Sequence, residues 1–209
     1  MTAYPAVLLR TEYVLGGVQP ASFGIWFSTT NEKTSADLQT WLNGPNLTNW
    51  NTNVSAAARA GIVNPDKVDG FTAYGYDLAG ELTAQAHYTF TTGNTGTGIA
   101  GGYPQVSVVV TLETAGFGRS QRGRLYFPWT ASSEDLRPAD DAIDDLAAGM
   151  GTYLSTAITQ GFVPIVNSRS RADGYAVTRV KIDNVADTQR RRRDQFAPTH
   201  IASAAVTGD

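Results

Sequence analysis

The stretch Tyr103 to Phe127, YPQVSVVVTLETAGFGRSQRGRLYF, decides the fold of this chain, because two apolar runs lie on either side of a loop rich in glycine and arginine. In the first run the strongly apolar residues recur at every second position: Val106, Val108, Val110 and Leu112. This period of two, together with the β-branched content, predicts a buried strand, and residues 125–127 predict the return strand. The loop over residues 115–123 holds three glycines and is longer than a tight hairpin turn. The rest of the chain is expected to pack beside this hairpin.

Arginine is concentrated at two sites in the second half of the chain. Of the 16 basic residues, only four precede Arg119, although the net charge of the chain is -3. The first site consists of Arg119, Arg122 and Arg124, and the second of Arg190, Arg191, Arg192 and Arg193. Arginine makes fixed, bidentate contacts with carboxylates and phosphates more readily than lysine does. We therefore predict that these seven residues lie at an interface.

Six further segments show the alternation or β-branched content of strands. They are residues 6–14, 22–28, 68–76, 83–91, 162–167 and 177–185. The third and fourth of these are close enough in sequence to be predicted as a hairpin. Pro164 places the fifth at a sheet edge or a bulge.

Two helices are predicted. The first starts at a cap formed by Thr34 or Ser35 and is interrupted at Gly44-Pro45, and residues 47–60 are at best weakly helical because their asparagines prefer turns. The second runs from Pro138 to Gly161, with apolar residues at spacings of three and four. Gly149 and Gly151 lie inside it, where glycine weakens a helix, so we expect them to permit close packing contacts.

Seven or eight strands with two helices inserted at separate places predict an α+β domain, in which two helices pack on a mainly antiparallel sheet. A β-sandwich or jelly roll is the alternative. The order strand, helix, strand from Leu125 to Val166 leaves open a crossover that would make part of the sheet parallel. We expect residues 1–195 to form a single domain and residues 196–209 to form a C-terminal tail.

The sequence offers little support for an enzyme. There is no cysteine, and His87 and His200 have no nucleophile setting near them. The glycine-rich segment Thr92 to Gly102 lacks the lysine of a phosphate-binding loop. Four aspartates at the start of the second helix, namely Asp140, Asp141, Asp144 and Asp145, are typical of helix-dipole complementation rather than of a metal site. We therefore expect no catalytic residues, no cofactor and no metal, and the absence of a long apolar run predicts no membrane span or secretory signal.

Two segments carry a resemblance to a known group of proteins. GRSQRGRLYF (Gly118 to Phe127) and VKIDNVADTQRRRRDQ (Val180 to Gln195) resemble a pattern that recurs in small structural proteins of tailed bacteriophages and related environmental viruses. In that pattern an apolar strand, GRSxRGR with an aromatic residue, a helix and a DTQRRRR run occur in this order. The resemblance covers residues 104–195 and implies that the chain is part of a virion.

The expected function is therefore that of a non-enzymatic structural protein of a bacteriophage particle, assembled in the host cytoplasm and self-assembling or docking in the tail or neck region. Its expected partners are copies of itself and other virion proteins, with arginine contacts to the aspartate-rich helix start of the same or an adjacent subunit as one arrangement. The alternatives are a capsid or capsid-surface protein, a nucleic-acid-binding protein that uses the four-arginine run, and a glycan- or receptor-binding β-sandwich. The glycan alternative would use exposed aromatics: Trp50, Tyr74, Tyr76 and Trp129.

Overall fold

The structure is a computed structural model that describes residues 3–15, 18–57, 68–76, 81–89, 105–114, 122–130, 140–166, 175–187, 195–196 and 201–208. These residues form two antiparallel sheets and two helical regions, which confirms the predicted α+β class. Every pairing between the described strands is antiparallel, so the parallel crossover is not found among them.

The first sheet contains six strands. They are β1 (Ala3–Leu15), β2 (Val18–Thr34), β3 (Val68–Tyr76), β4 (Leu82–Thr89), β7 (Phe162–Val166) and β8 (Tyr175–Ala176). Their order across the sheet is β4-β3-β1-β2-β7-β8. β3 and β4 form the predicted hairpin. β2 lies between β1 and β7, the strand that follows the second helix, and pairs with both.

The second sheet is built around the alternating apolar run of residues 106–112. Its strands are β5 (Gln105–Glu113), β6 (Arg122–Thr130), β9 (Arg179–Asp187), β10 (Gln195–Phe196) and β11 (Ala202–Ala205). β5 lies in the centre, with β6 on one side and β9 on the other. β10 and β11 both pair with the far side of β9, so the predicted C-terminal tail contributes a strand to this sheet.

The first helix spans residues 35–57 without a break. It consists of α1 (Ser35–Trp41), a π-helical segment Leu42–Asn46, α2 (Leu47–Asn49) and a second π-helical segment Trp50–Ser55. The predicted interruption at Gly44-Pro45 is therefore wrong. Pro45 cannot donate the ordinary helical hydrogen bond, and the wider π turn that contains it lets the chain continue.

Thr34, one of the two predicted capping residues, caps the start of this helix together with Asp37. The Asp37 carboxylate accepts the Thr34 main-chain N–H and hydroxyl at 2.8 Å each, and the Asp37 N–H donates to Thr34 Oγ1 at 3.3 Å. The main-chain hydrogen bond, followed by that of the hydroxyl, lowers the pKa of Asp37 below its ordinary value of 3.8. The cap is a reciprocal capping box.

Acid should weaken this cap. Because the pKa of Asp37 is lower in the folded chain than in the unfolded chain, its contribution to stability is complete above the unfolded pKa and is lost as the pH falls through the folded pKa. We expect an NMR titration to place the Asp37 midpoint below that of the same residue in urea. In Asp37→Asn this part of the acid sensitivity should disappear, and an unchanged acid sensitivity in that variant would contradict the cap.

The second helix, α3 (Asp140–Thr159), packs between the first helix and the second sheet. A Cβ atom at Gly149 would lie 2.1 Å from the main-chain oxygen of Asn53, and one at Gly151 would lie 2.7 Å from the Cβ of Ala204. Both glycines therefore permit close contacts, as predicted. The core consists of the buried face of α3, the inward residues of both sheets and the apolar residues of the first helix.

A buried polar network joins the two helices. The Tyr153 hydroxyl donates to Asn46 Oδ1 at 2.7 Å, and Asn49 Nδ2 donates to the main-chain oxygen of Tyr153 at 2.9 Å. Asn53 Nδ2 donates to Asn49 Oδ1 at 2.7 Å. Burial raises the pKa of Tyr153 well above its ordinary value, so its hydroxyl stays protonated and able to donate. The asparagines thus stabilise the helix that they were expected to weaken.

The chain passes from the first sheet to the second within a few residues. Between β8 and β9, the Val177 N–H donates to the main-chain oxygen of Pro164 in β7, and the Thr178 N–H donates to that of Glu113 in β5, each at 2.9 Å. Two consecutive peptide groups therefore bond to different sheets. We call Val177 and Thr178 the intersheet link.

Candidate interaction surface

The two faces of the second sheet differ in character. Val110 and Leu112 of β5 lie on the core face, where they pair with Ile182 and Val180 of β9. α3 packs on this same face, because its Gly151 lies against Ala204, which pairs with Val180. The alternate residues of β5, namely Val109, Thr111 and Glu113, belong to the opposite face, which we call the outer face, and they too are buried, at 2–4% exposure.

The strand register brings basic residues together on the outer face. Glu113 of β5 is paired with Arg122 of β6 and with Arg179 of β9, and Thr111 is paired with Arg124 and Lys181 in the same way. Directly paired residues of an antiparallel sheet share one face. The six residues Glu113, Thr111, Arg122, Arg124, Arg179 and Lys181 therefore form one feature, which we call the charged strip.

A single carboxylate orders part of the charged strip. Nε and Nη2 of Arg179 both donate to Glu113 Oε2, the first at 2.8 Å. The Glu113 side chain is 6% exposed, whereas that of Arg179 is 56% exposed. A buried carboxylate requires such a partner, and the contact in turn restrains the arginine. The guanidinium of Arg179 is thus held in place while much of its surface remains open to a further anion.

The charged strip has a defined size and charge. Its four basic residues outnumber its one carboxylate, so its formal charge is +3 on a chain whose net charge is -3. Two strand spacings separate β6 from β9, which is about 10 Å, and two residues along each strand span about 7 Å. The register therefore places more basic than acidic residues at this end of the second sheet.

The predicted arginine sites are only partly described. Arg122 and Arg124 lie within β6 rather than in the loop, because β6 begins at Arg122. Arg119 and the run Arg190 to Arg193 lie outside the described residues. Asp187 and Gln195, the described residues on either side of that run, lie at the end of the second sheet opposite to the charged strip.

Four residues of the charged strip were not among the predicted site residues: Thr111, Glu113, Arg179 and Lys181. Each lies singly in a strand, so neither a cluster nor a motif draws attention to it in the sequence. The available signal was the alternation of residues 177–185, which places Arg179 and Lys181 on the polar side of a strand. Only the register shows that they lie beside β5 at the level of Arg122 and Arg124.

The other candidate residues of the sequence lie partly within and partly outside the described residues. The aspartates that start α3 are all exposed, and no group of histidine and acidic residues able to hold a metal ion is found among the described residues. His87 lies in β4. His200 and the segment Thr92 to Gly102 lie outside the described residues.

One of the aromatic residues considered for glycan binding is not at the surface. Trp50, expected to be exposed, is 0% exposed. Its ring packs edge-on against Tyr153 with centroids 4.9 Å apart. Because the first helix continues through residue 57, Trp50 faces α3 rather than solvent. Tyr74 is half-buried in β3, so a glycan groove has little support among these residues.

The edge strand β4 of the first sheet is blocked by a side chain. Gln39 Nε2 donates to the main-chain oxygen of Gln85 at 2.7 Å, and the Gln85 N–H donates to Gln39 Oε1 at 3.2 Å. The amide of Gln39 thus bonds to β4 as the main chain of another strand would. This contact limits strand addition at that edge and leaves the charged strip as the stronger candidate for a partner surface.

Comparison with known proteins adds no family to these observations: no family model matches the chain, and no curated protein or solved structure matches it. Within the described residues, no helix has both the length and the apolar character needed to cross a membrane.

Proposed function

We propose that the chain is a non-enzymatic structural protein of a bacteriophage particle, which self-assembles or docks in the tail or neck region through its arginine-rich surfaces. The observation that carries the proposal is the position of the two segments that resemble virion proteins. Residues 118–127 include the first six of the nine residues of β6, and residues 180–195 include all of β9 except Arg179. These two strands flank β5, so both segments contribute to one sheet and to the charged strip.

Charged contacts suit this role for a physical reason. A hydrogen bond to a charged group contributes about 1.5–3 kcal/mol, which is modest for one pair but large when several pairs are repeated around a symmetric assembly. Such contacts are also screened by salt, with a Debye length of about 10 Å at 0.1 M. The proposed assembly should therefore be specific, reversible and sensitive to ionic strength.

The test is the mass of the purified protein by light scattering at about 50 mM and about 500 mM salt, combined with the ratio of absorbance at 260 and 280 nm. A defined oligomer that dissociates at high salt and contains no nucleic acid supports the proposal. A monomer that copurifies with nucleic acid favours the nucleic-acid-binding alternative instead. A clean monomer at all concentrations contradicts self-assembly.

Removing two charges from the four-arginine run should weaken assembly without unfolding the chain. We expect Arg191→Ala with Arg192→Ala to keep the wild-type circular dichroism and melting temperature but to raise the concentration needed for assembly by about tenfold, which corresponds to about 1.4 kcal/mol. The control is Arg169→Ala with Arg171→Ala, which changes the net charge equally. Assembly that is unchanged in the first variant, or weakened equally in both, would show that the run makes no specific contact.

A further inference from the structure

We infer that copies of this chain are joined by exchange of one segment, which leaves its own chain and docks in the same place on a second copy. The segment consists of residues 201–208, and we call it the docked segment. It lies in a groove bounded by the edge of β9 and by α3, which we call the docking groove. The inference rests on the proposed function, because it names the contact through which the chain assembles.

Main-chain hydrogen bonds hold the docked segment in the docking groove. Its strand, β11, pairs antiparallel with the start of β9. Just beyond the strand, the Val206 N–H donates to the main-chain oxygen of Thr178 at 3.0 Å. The next N–H, that of Thr207, donates to Oγ of Ser155 in α3 at 3.1 Å. Bonds of this kind give strand addition its affinity, and the same segment of another copy can make every one of them.

The docking groove also fits the shape of the docked segment. A Cβ atom at Gly151 of α3 would lie 2.7 Å from the Cβ of Ala204, and one at Gly208 would lie 2.5 Å from Cγ2 of Ile158 in α3. One glycine on each side therefore makes room for the other side. Between these two contacts Val206 is buried as part of the core. Pockets for alternate side chains give strand addition its specificity, so the docking groove selects this sequence.

The docked segment is lightly anchored. Only two of its eight residues, Ala202 and Val206, are buried, and five are exposed. Burial of a valine contributes about 1.5–3 kcal/mol, and burial of an alanine contributes less because its side chain is smaller. Withdrawal of the docked segment therefore uncovers little apolar surface, and it costs less than withdrawal of a strand from the middle of the sheet.

Exchange leaves the balance of contacts almost unchanged. A segment docked on a neighbour makes the same hydrogen bonds and fills the same groove as it does in its own chain, which makes exchange of identical elements a low-cost route to assembly. The remaining cost is the entropy lost when two copies associate. The charged contacts of the proposed function offset that cost. Because salt screens those contacts, exchange should be favoured at low salt and should reverse at high salt.

The chain before the docked segment is long enough to reach a neighbour. Five peptide steps separate Phe196 of β10 from Ile201, and an extended chain of that length spans about 17 Å. Measured from Asp187 at the end of β9, the fourteen steps to Ile201 span about 45 Å. Each copy donates one segment and receives one. The exchange can therefore be reciprocal between two copies or repeat from copy to copy in a ring or a filament.

The test uses introduced thiols, because the chain contains no cysteine. A Cβ atom at Gly208 would lie 3.6 Å from the Cβ of Ile158, within the range of about 3.5–4.5 Å that a disulfide requires. Ile158→Cys and Gly208→Cys are made as two separate proteins, mixed in equal amounts at high salt, returned to low salt and exposed to a glutathione redox buffer. Mass spectrometry of the linked peptides then identifies the bond between positions 158 and 208. In this mixture that bond always joins two copies.

The control mixture is Leu82→Cys with Gly208→Cys. Leu82 lies in β4 and is 53% exposed, so a thiol there reports random collision. The first mixture should give at least about tenfold more of its heterodimer than the control gives, because docked thiols have an effective concentration of about millimolar. Equal yields from the two mixtures would overturn the inference.

A locked chain gives a second readout. When Ile158→Cys and Gly208→Cys are combined in one chain and oxidised in dilute solution at high salt, the disulfide should close within the chain and hold the docked segment in its own groove. The locked monomer should not assemble at concentrations at which the wild type assembles, and reduction of the disulfide should restore assembly. A locked monomer that assembles as the wild type does would show that exchange is not the contact.

The outcomes separate this inference from the proposed function. If the wild type forms no oligomer in light scattering, the proposed function fails and the exchange fails with it. If the wild type assembles but the heterodimer does not exceed the control, or the locked monomer assembles, the proposed function stands and the exchange is wrong. Should Ile158→Cys unfold the chain, Ser155→Cys with Thr207→Cys takes its place, since the Thr207 nitrogen and Ser155 Oγ lie 3.1 Å apart. The same two outcomes decide that experiment.

Discussion

Replacing Trp50 by alanine should lower the free energy of unfolding by about 3–5 kcal/mol, the cost of removing a large aromatic side chain from a packed core. Trp50 is 0% exposed and contacts Tyr153 edge-on, at the point where the first helix meets α3. Domains of this size are stable by only about 5–15 kcal/mol, so the loss takes a large part of the total. Urea denaturation followed by far-ultraviolet circular dichroism measures it without depending on tryptophan fluorescence.

The control for this experiment is Leu82→Ala, since Leu82 lies in edge strand β4 and is 53% exposed. Its effect should stay within about 0.5 kcal/mol. Trp50→Phe keeps part of the aromatic contact and should fall between the two. If Trp50→Ala lowers the free energy of unfolding by less than about 1 kcal/mol, the Trp50 side chain is not packed between the first helix and α3.

The second large effect is expected at Gly149. Alanine there would place its Cβ 2.1 Å from the main-chain oxygen of Asn53, so one of the two helices must move. We expect Gly149→Ala to cost about 1–3 kcal/mol through overpacking, even though alanine favours a helix over glycine by about 1 kcal/mol. The midpoint of urea denaturation should fall accordingly.

A matched glycine lies in the first helix. A Cβ atom at Gly44 would meet nothing within 4 Å. Gly44→Ala should therefore leave stability unchanged or raise it by up to about 1 kcal/mol through helix propensity. If Gly149→Ala and Gly44→Ala change the free energy of unfolding in the same direction and to the same extent, the contact between α3 and the first helix at Gly149 is not too close for a side chain.

Local patterns in the sequence predict the strands well. β3 spans Val68–Tyr76, the bounds expected from its alternation, and β5 is the central strand that its valines indicate. The cap at Thr34 is equally local, because its partner Asp37 is three residues away. These features depend on neighbours in sequence, and neighbours in sequence are what a pattern records.

The second half of the first helix depends on contacts that a local pattern does not contain. Its asparagines prefer turns when only their neighbours are considered. In the folded chain, Asn46 and Asn49 bond to Tyr153, which is more than a hundred residues away in sequence. One signal was present, since Asn46, Asn49 and Asn53 follow each other at helical spacings of three and four. A polar stripe at that spacing is compatible with a buried helix only if a partner satisfies it.

The charged strip was harder to predict from the sequence than the strands or the first helix. Arg122 and Arg124 were singled out from the sequence, but their neighbours on the sheet follow from register, and a shift of one residue would exchange the two faces. The register between β5 and β9 shifts at a bulge between Val109 and Val110 of β5, so it can change within one strand pair. The sequence could thus predict basic residues on strands without predicting which of them meet.

The intersheet link gives the molecule a short path for mechanical load. Arg179 begins β9 directly after Thr178, and Val177 is bonded to β7 through a hydrogen bond of 2.9 Å. Hydrogen bonds between main-chain groups resist such a pull more directly than side-chain packing does, because they join the strands themselves. The two sheets are thus coupled through the main chain itself, so a displacement of one sheet changes the hydrogen bonds that hold an edge of the other.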